Sequence, residues 1–291
     1  MVLQLVVSGL AVGSLYAMVA IGFSLLWQTS RTVNFAQGEW ITVPAFTAVI
    51  LIHFLKVPLS VAVILAILIS ALVLGYAFRK TLIERLVPAG VIPLVVATIA
   101  LSIVIRNSFV FYNAESIPFP SIFSEEPIRY AGMVFRSLDV WNMVFAASAI
   151  IGLQIFIKRT KIGKAMQAVA QNREAARIVG INAKRIITWV FVINAFLAAI
   201  AAILIAPIYL VTYSMGVVLS LRAFYAAIIG GFNQVRGALI GGLLVGLIEI
   251  FATVYGPKGF KEVILLVILI IVILFKPEGL VGTKEEEIER T

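Results

Sequence analysis

Cysteine is absent from the 291 residues, and histidine and aspartate occur once each, at His53 and Asp139. Without thiols there is no disulfide, no sulfur nucleophile and no cysteine-based metal site. A lone histidine builds no metal or proton-relay cluster, and its place at the end of an apolar run suits surface anchoring. No stretch has the form GxxxxGK[ST], so ATP binding by a phosphate loop is excluded. Charge is scarce altogether, at 13% of residues, where soluble globular domains carry about a quarter. A membrane enzyme needs a cluster of titratable groups, and an ion-driven carrier tends to carry several intramembrane acids. Glu249, with Glu39 and Glu262 near span ends, is a poor supply for either.

What remains is apolar. Hydrophobic residues make up 62% of the chain and the mean hydropathy is +1.10, which excludes a soluble domain. The expected fold class is all-α: a polytopic membrane protein of about eight or nine transmembrane helices, some broken or re-entrant. Residues 1–291 then form a single transmembrane domain. The net charge of +9 is gathered in particular loops. It reads as a set of topology signals and membrane-surface contacts, with no nucleic-acid footprint. Met1 runs into an apolar stretch without a basic region ahead of it, so the first segment is expected to be a mature span.

Residues 2–26 are the first candidate span, at roughly 25 residues against the roughly 20 needed. Gly9 and Gly13 give it a face for close helix packing. Residues 27–40 interrupt the apolar pattern, and a short span over 40–55 with Pro44 follows. Two readings stand level: a discontinuous transporter helix with polar backbone at mid-depth, or a cytoplasmic turn, which Arg31 suits. Residues 57–78 form an uncharged span, and Arg79, Lys80 and Arg85 mark a cytoplasmic turn after it. The span over 93–112 contains Arg106, expected to snorkel outward, the alternative being a place on a transport path. Residues 113–139 form the longest loop of the opposite side, with four acids and two arginines. Further spans are expected over 140–157, 186–211 and 259–275. Residues 220–255 hold two apolar halves, the first an uncertain crossing over 220–233. The second, 237–255, has overlapping small-residue spacing at Gly237, Gly241, Gly242 and Gly246 and contains Glu249, read chiefly as a structural carboxylate. Nine crossings put the amino terminus outside. The charged tail is expected to be cytoplasmic and partly disordered.

The loop 158–185 is the one long polar segment between two long apolar ones, with eight basic residues against a single acid, Glu174. Short basic loops stay cytoplasmic. Ile162, Met166 and Val169 recur at helical spacing. A second, shorter helix follows, with Asn172 as its cap, Glu174 in its first turn and Gly180 ending it in the left-handed conformation. About two turns, or about 10 Å, make a poor span and a good docking peg.

Glu174-Ala175-Ala176, with Gly180 after three intervening residues, matches the EAAxxxG core of ABC-importer permeases, whose cytoplasmic loop docks on an ATPase subunit. The run Gly163-Lys164-Ala165-Met166-Gln167-Ala168-Val169-Ala170 precedes it. Over nearly its full length the chain resembles the branched-chain amino acid permeases of the LivH type. The resemblance rests on Gly9, Gly13-Ser14-Leu15-Tyr16-Ala17 and Asn34-Phe35-Ala36-Gln37-Gly38-Glu39. Gly230-Gly231, the glycine helix and Lys276-Pro277-Glu278-Gly279-Leu280-Val281-Gly282 extend it. The chain departs from the longer pattern, which continues to IxLP, where it reads Val190-Phe191-Val192-Ile193. The LivH-like branch generally lacks that proline too.

The resemblance implies one half of a two-permease pore in the cell membrane, beside a LivM-like permease. Two ATP-binding subunits would lie inside, an extracytoplasmic substrate-binding protein outside and lipid around. It implies alternating access for branched-chain amino acids, no cofactor and no enzymatic activity in the chain itself. Asn172, Glu174, Ala175, Ala176 and Gly180 would couple to the ATPase; Asn34, Phe35, Gln37, Gly38 and Glu39 are candidates for the translocation path. A carrier or channel working alone is the main alternative. An importer of the same type for an amide or urea is another.

Overall fold

An apolar run inside a bilayer has no water for its backbone, and a helix satisfies those groups within one segment. The computed structural model describes residues 2–31, 34–123, 126–130, 133–257 and 259–282. Its helices are α1 (Val2–Ser30), α2 (Glu39–His53), α3 (Leu59–Ala89), α4 (Val91–Tyr112), α5 (Ser137–Arg159), α6 (Lys161–Gln171), α7 (Arg173–Ile178), α8 (Ala183–Tyr209), α9 (Met215–Gly230), α10 (Val235–Tyr255) and α11 (Lys261–Phe275). Among the described residues, seven segments are long and apolar enough to cross a membrane. The short α9 and α11, of 16 and 15 residues, occupy the two remaining expected crossings. The all-α polytopic class is what the structure has. A small hairpin of β1 (Ile128–Tyr130) and β2 (Met133–Phe135) is an ornament on the 113–139 loop.

Contacts sort the helix ends onto two faces. Gln4 Nε2 donates to the Val134 carbonyl at 2.8 Å and Ser8 Oγ to Asp139 Oδ2 at 2.6 Å, so α1 starts beside the 113–139 loop. Ile117 bridges Val211, which brings the end of α8 to that face. On the other face Trp27 Nε1 donates to Asn233 Oδ1 at 2.9 Å, and Leu25, Thr29, Lys158 and Met166 share one cavity. The described chain therefore runs from an outer end at the start of α1 to an inner end after α11, the inner face being the one with the basic 158–185 loop.

Glycine decides where the helices come closest. Gly9 and Gly13 of α1 meet Gly242 and Gly246 of α10 backbone to backbone, and a methyl on Gly246 would strike the Gly13 main chain. Gly237 and Gly241 lie on another face of α10, against Gly230 and Ala226 of α9. One helix thus serves two neighbours with two glycine pairs, a division that spacing alone did not give.

Two boundaries differ from expectation. The turn expected at Arg79, Lys80 and Arg85 is helix: α3 continues to Ala89, with π turns at Ala71–Ala77 and Arg79–Ile83. In a π turn residues five apart fall in line, and Arg79 Nη1 reaches Glu84 Oε2 at 2.9 Å. The first apolar half of 220–255 begins earlier, at Met215. After α11 the chain turns back, and the amides of Leu280 and Val281 donate to the carbonyls of Ile229 and Gly230. The rest of the charged tail, 283–291, lies outside the described residues.

Candidate coupling segment and helix break

At the inner face α6 starts from Thr160, whose hydroxyl accepts the Gly163 amide at 3.0 Å. Met166 and Val169 are buried against the bundle and Ile162 packs beside them, so the stripe read at helical spacing is the docked face. Asn172 then ends α6 and opens α7, its Oδ1 accepting from Glu174 N at 3.0 Å and Ala175 N at 2.9 Å. Gly180 takes φ +85°, and the Ile181 amide closes on the Ala176 carbonyl at 2.9 Å. Ala176 is the buried residue of α7. Ile178 and Val179 are 86% and 75% exposed, an apolar tip on a surface otherwise rich in Lys and Arg. Partial burial, with Arg177 and Arg79 nearby, holds the Arg173 guanidinium below its ordinary value.

The second group sits elsewhere. After Ser30 the chain reverses through Arg31, at φ 52°, and a 3-10 turn, Phe35–Gly38, leads into α2. The turn and α2 run on as one apolar segment, Phe35–His53, of 19 residues. Gly22, packed at the same level, lies about 12 Å from the inner end of α1. The reversal at Arg31 and a polar turn buried inside the bundle are both present, one feature from each of the two readings left open.

Four of the five candidates are buried here: Asn34, Gln37, Gly38 and Glu39; Phe35 is half exposed. Asn34 Oδ1 caps the turn by accepting from Ala36 N at 3.0 Å. Gln37 and Asn194 of α8 exchange two amide hydrogen bonds, at 2.8 and 2.9 Å. A side chain on Gly22 would collide with the Asn194 carboxamide, and one on Gly216 with the Gly38 carbonyl. Glu39, in the first turn of α2, accepts from Ser102 Oγ of α4 at 2.8 Å. The helix N-terminus favours its charge, and the half-buried Arg106 stands one turn beyond Ser102 on α4. Glu39 Oε2 and Asn34 Nδ2 are buried with no partner. Buried polar atoms are ordinarily hydrogen-bonded.

A third constellation escaped the sequence reading. Arg222, in the middle of α9, is 3% exposed. Its Nη1 lies 2.9 Å from Glu249 Oε1 and its Nη2 2.7 Å from Glu262 Oε1. Tyr16 Oη donates to Glu249 Oε2 at 2.7 Å and accepts from Arg222 at 3.0 Å. The cluster ties α1, α9, α10 and α11 together. One signal existed: an arginine within an apolar 16-residue helix demands an acid, and Glu249 was the acid available.

The candidate coupling residues and the break are not neighbours. They are joined by one helix: α8 begins at Ala183, directly after the coupling segment, and carries Asn194 about 16 Å further on.

A family model for the permease component of branched-chain amino acid transport systems matches residues 5–273. The chain is 32% identical to the high-affinity branched-chain amino acid transport permease BraD of Pseudomonas aeruginosa, over 98% of this chain and 97% of that protein. It is 29% identical to LivH of Escherichia coli, with the same coverage. A probable LivH of the archaeon Methanocaldococcus jannaschii is 25% identical over 95% of this chain and 91% of its own length. No solved structure matches.

Proposed function

The chain belongs to the family of permease components of branched-chain amino acid transport systems, and from that premise we propose that it is one transmembrane half of an ATP-driven importer for branched-chain amino acids. It is a multi-pass protein of the cell membrane. ATP would be hydrolysed by two separate subunits on the inner face. A second permease of LivM type would complete the pore, and an extracytoplasmic binding protein would supply the substrate and most of the selectivity.

The observation that carries this reading is the capped peg of α7. It offers Ile178 and Val179 to the cytoplasm, where an apolar pair has a use once another protein covers it. Asn172, Glu174, Ala175, Ala176 and Gly180 shape and present the peg. A push on it is delivered to the first turn of α8, which is a stiff lever. Further along that lever Asn194 grips Gln37 at the helix break. Movement of α8 would therefore part or reseat Asn34–Glu39, which is the coupling that alternating access requires. The break lies on the path in this scheme, and the orphaned Glu39 Oε2 and Asn34 Nδ2 are its free hydrogen-bonding groups.

The test is uptake of radiolabelled leucine into proteoliposomes, with the chain alone and with its partner subunits. Uptake should need all subunits and internal or external ATP on the ATPase side. Asn34→Ala and Glu39→Ala should each reduce it at normal expression. Unchanged uptake in both variants would remove the break from the path; uptake by the chain alone would make it a carrier.

A further inference from the structure

Between the inner halves of α3 and α8 runs a groove of about 680 Å³ that neither the peg nor the helix break uses. Its upper wall is apolar, from Ala71, Leu72 and Val192, with the Tyr76 and Trp189 rings below. Its mouth carries Arg79, Lys80, Lys184 and Arg185 against a single carboxylate, Glu84. That carboxylate is taken, by Arg79 at 2.9 Å and Lys184 at 3.7 Å. Lys80 Nζ lies 5.6 Å from the centre of the Tyr76 ring. Among the described residues Lys80 and Arg185 have no acidic partner.

Depth identifies the ligand. From Leu59 to Arg79 the helix runs about 30 Å, the thickness of the hydrocarbon core. The cations therefore lie at the inner boundary, Leu72 and Val192 lie at acyl-chain depth, and the aromatic rings lie between, where Trp and Tyr prefer to sit. A soluble anion has no use for the apolar wall, and a zwitterionic lipid leaves the excess cations uncompensated. Basic pockets between helices on the cytoplasmic side suit anionic headgroups. We propose that this groove binds an anionic phospholipid of the inner leaflet, its phosphate between Lys80 and Arg185 and a chain along Leu72 and Val192. Such a lipid would brace the inner end of α3 against the first turn of α8, the turn that follows the coupling segment.

The experiment is tryptophan quenching on the purified full-length chain in detergent, titrated with phosphatidylglycerol bearing brominated acyl chains. Saturable quenching is expected at about tenfold lower concentration than with brominated phosphatidylcholine. Trp189→Phe should abolish the saturable component. Lys80→Gln with Arg185→Gln should shift the titration by about tenfold, whereas Lys158→Gln with Arg236→Gln, an equal loss of charge at a different cavity, should not. Glycerol phosphate in excess should fail to displace the lipid. The proposal falls if both lipids quench alike, if quenching survives Trp189→Phe, if both charge pairs matter equally, or if glycerol phosphate competes, which would make the groove a simple anion site. Should the Lys80 and Arg185 variant not fold, the two-lipid comparison on wild type and Trp189→Phe decides alone.

Discussion

Arg222 is held by more than one bond, and that determines what its removal costs. Glu249, nearly fully buried, would face the bundle with Tyr16 and the more distant Lys261 as its partners. Breaking a buried pair by deleting one member costs about 3–5 kcal/mol, so Arg222→Met should lower the thermal midpoint of the purified protein markedly. Arg222→Met with Glu249→Leu should recover part of the loss, because the stranded charge goes with its partner. Thermal unfolding in detergent reads both; a double variant no better than the single would mean that the cluster serves packing alone. Gly22 makes a second test. A methyl there collides with the Asn194 carboxamide, and overpacking costs about 1–3 kcal/mol. Gly22→Ala should destabilise, and adding Asn194→Ala should relieve the clash. Local signals were legible at this scale: Asn172 and Gly180 do what a cap and a left-handed stop do wherever they stand. Arg222, Gln37 and Asn194 were not, since their partners lie on other helices and only tertiary packing chooses them.

At the scale of elements, the peg depends on its two ends. A helix of 6 residues is too short to persist on its own propensity. Asn172→Ala should cost about 1 kcal/mol, and Gly180→Ala, at φ +85°, about 1 kcal/mol for the strained backbone. Hydrogen exchange at Ala175 and Ala176 should quicken in both variants while the spans stay protected; unchanged exchange would show the peg to be held by its docking on the bundle instead. The helices themselves were largely readable from their apolar runs, and glycine spacing marked α1 and α10 as helices with close neighbours without saying which neighbours. The end of α3 was hidden. Arg79, Lys80 and Arg85 look like the end of a span, which they are for the bilayer, yet the helix carries on because Glu84 falls in line with Arg79 across a π turn. A discontinuous helix and a turn before α2 stood level in the sequence, because composition reports polarity and not depth.

For the whole molecule, the arrangement is a set of inner and outer faces joined by α8, with the peg at one end of the lever and the break along it. The class of the fold and the family were both visible in the sequence, through hydropathy and through the motif around Glu174. The lever was not, since nothing in the order of residues says that Asn194 reaches Gln37. The measurement that bears most directly on this account is ATP hydrolysis by the complete complex in liposomes, with and without leucine-loaded binding protein, for wild type and Ile178→Asp. A charge at the exposed tip should leave the chain folded and break its fit to the ATPase, so loaded binding protein should accelerate hydrolysis in wild type and fail to do so in the variant. Equal stimulation of both would contradict the account.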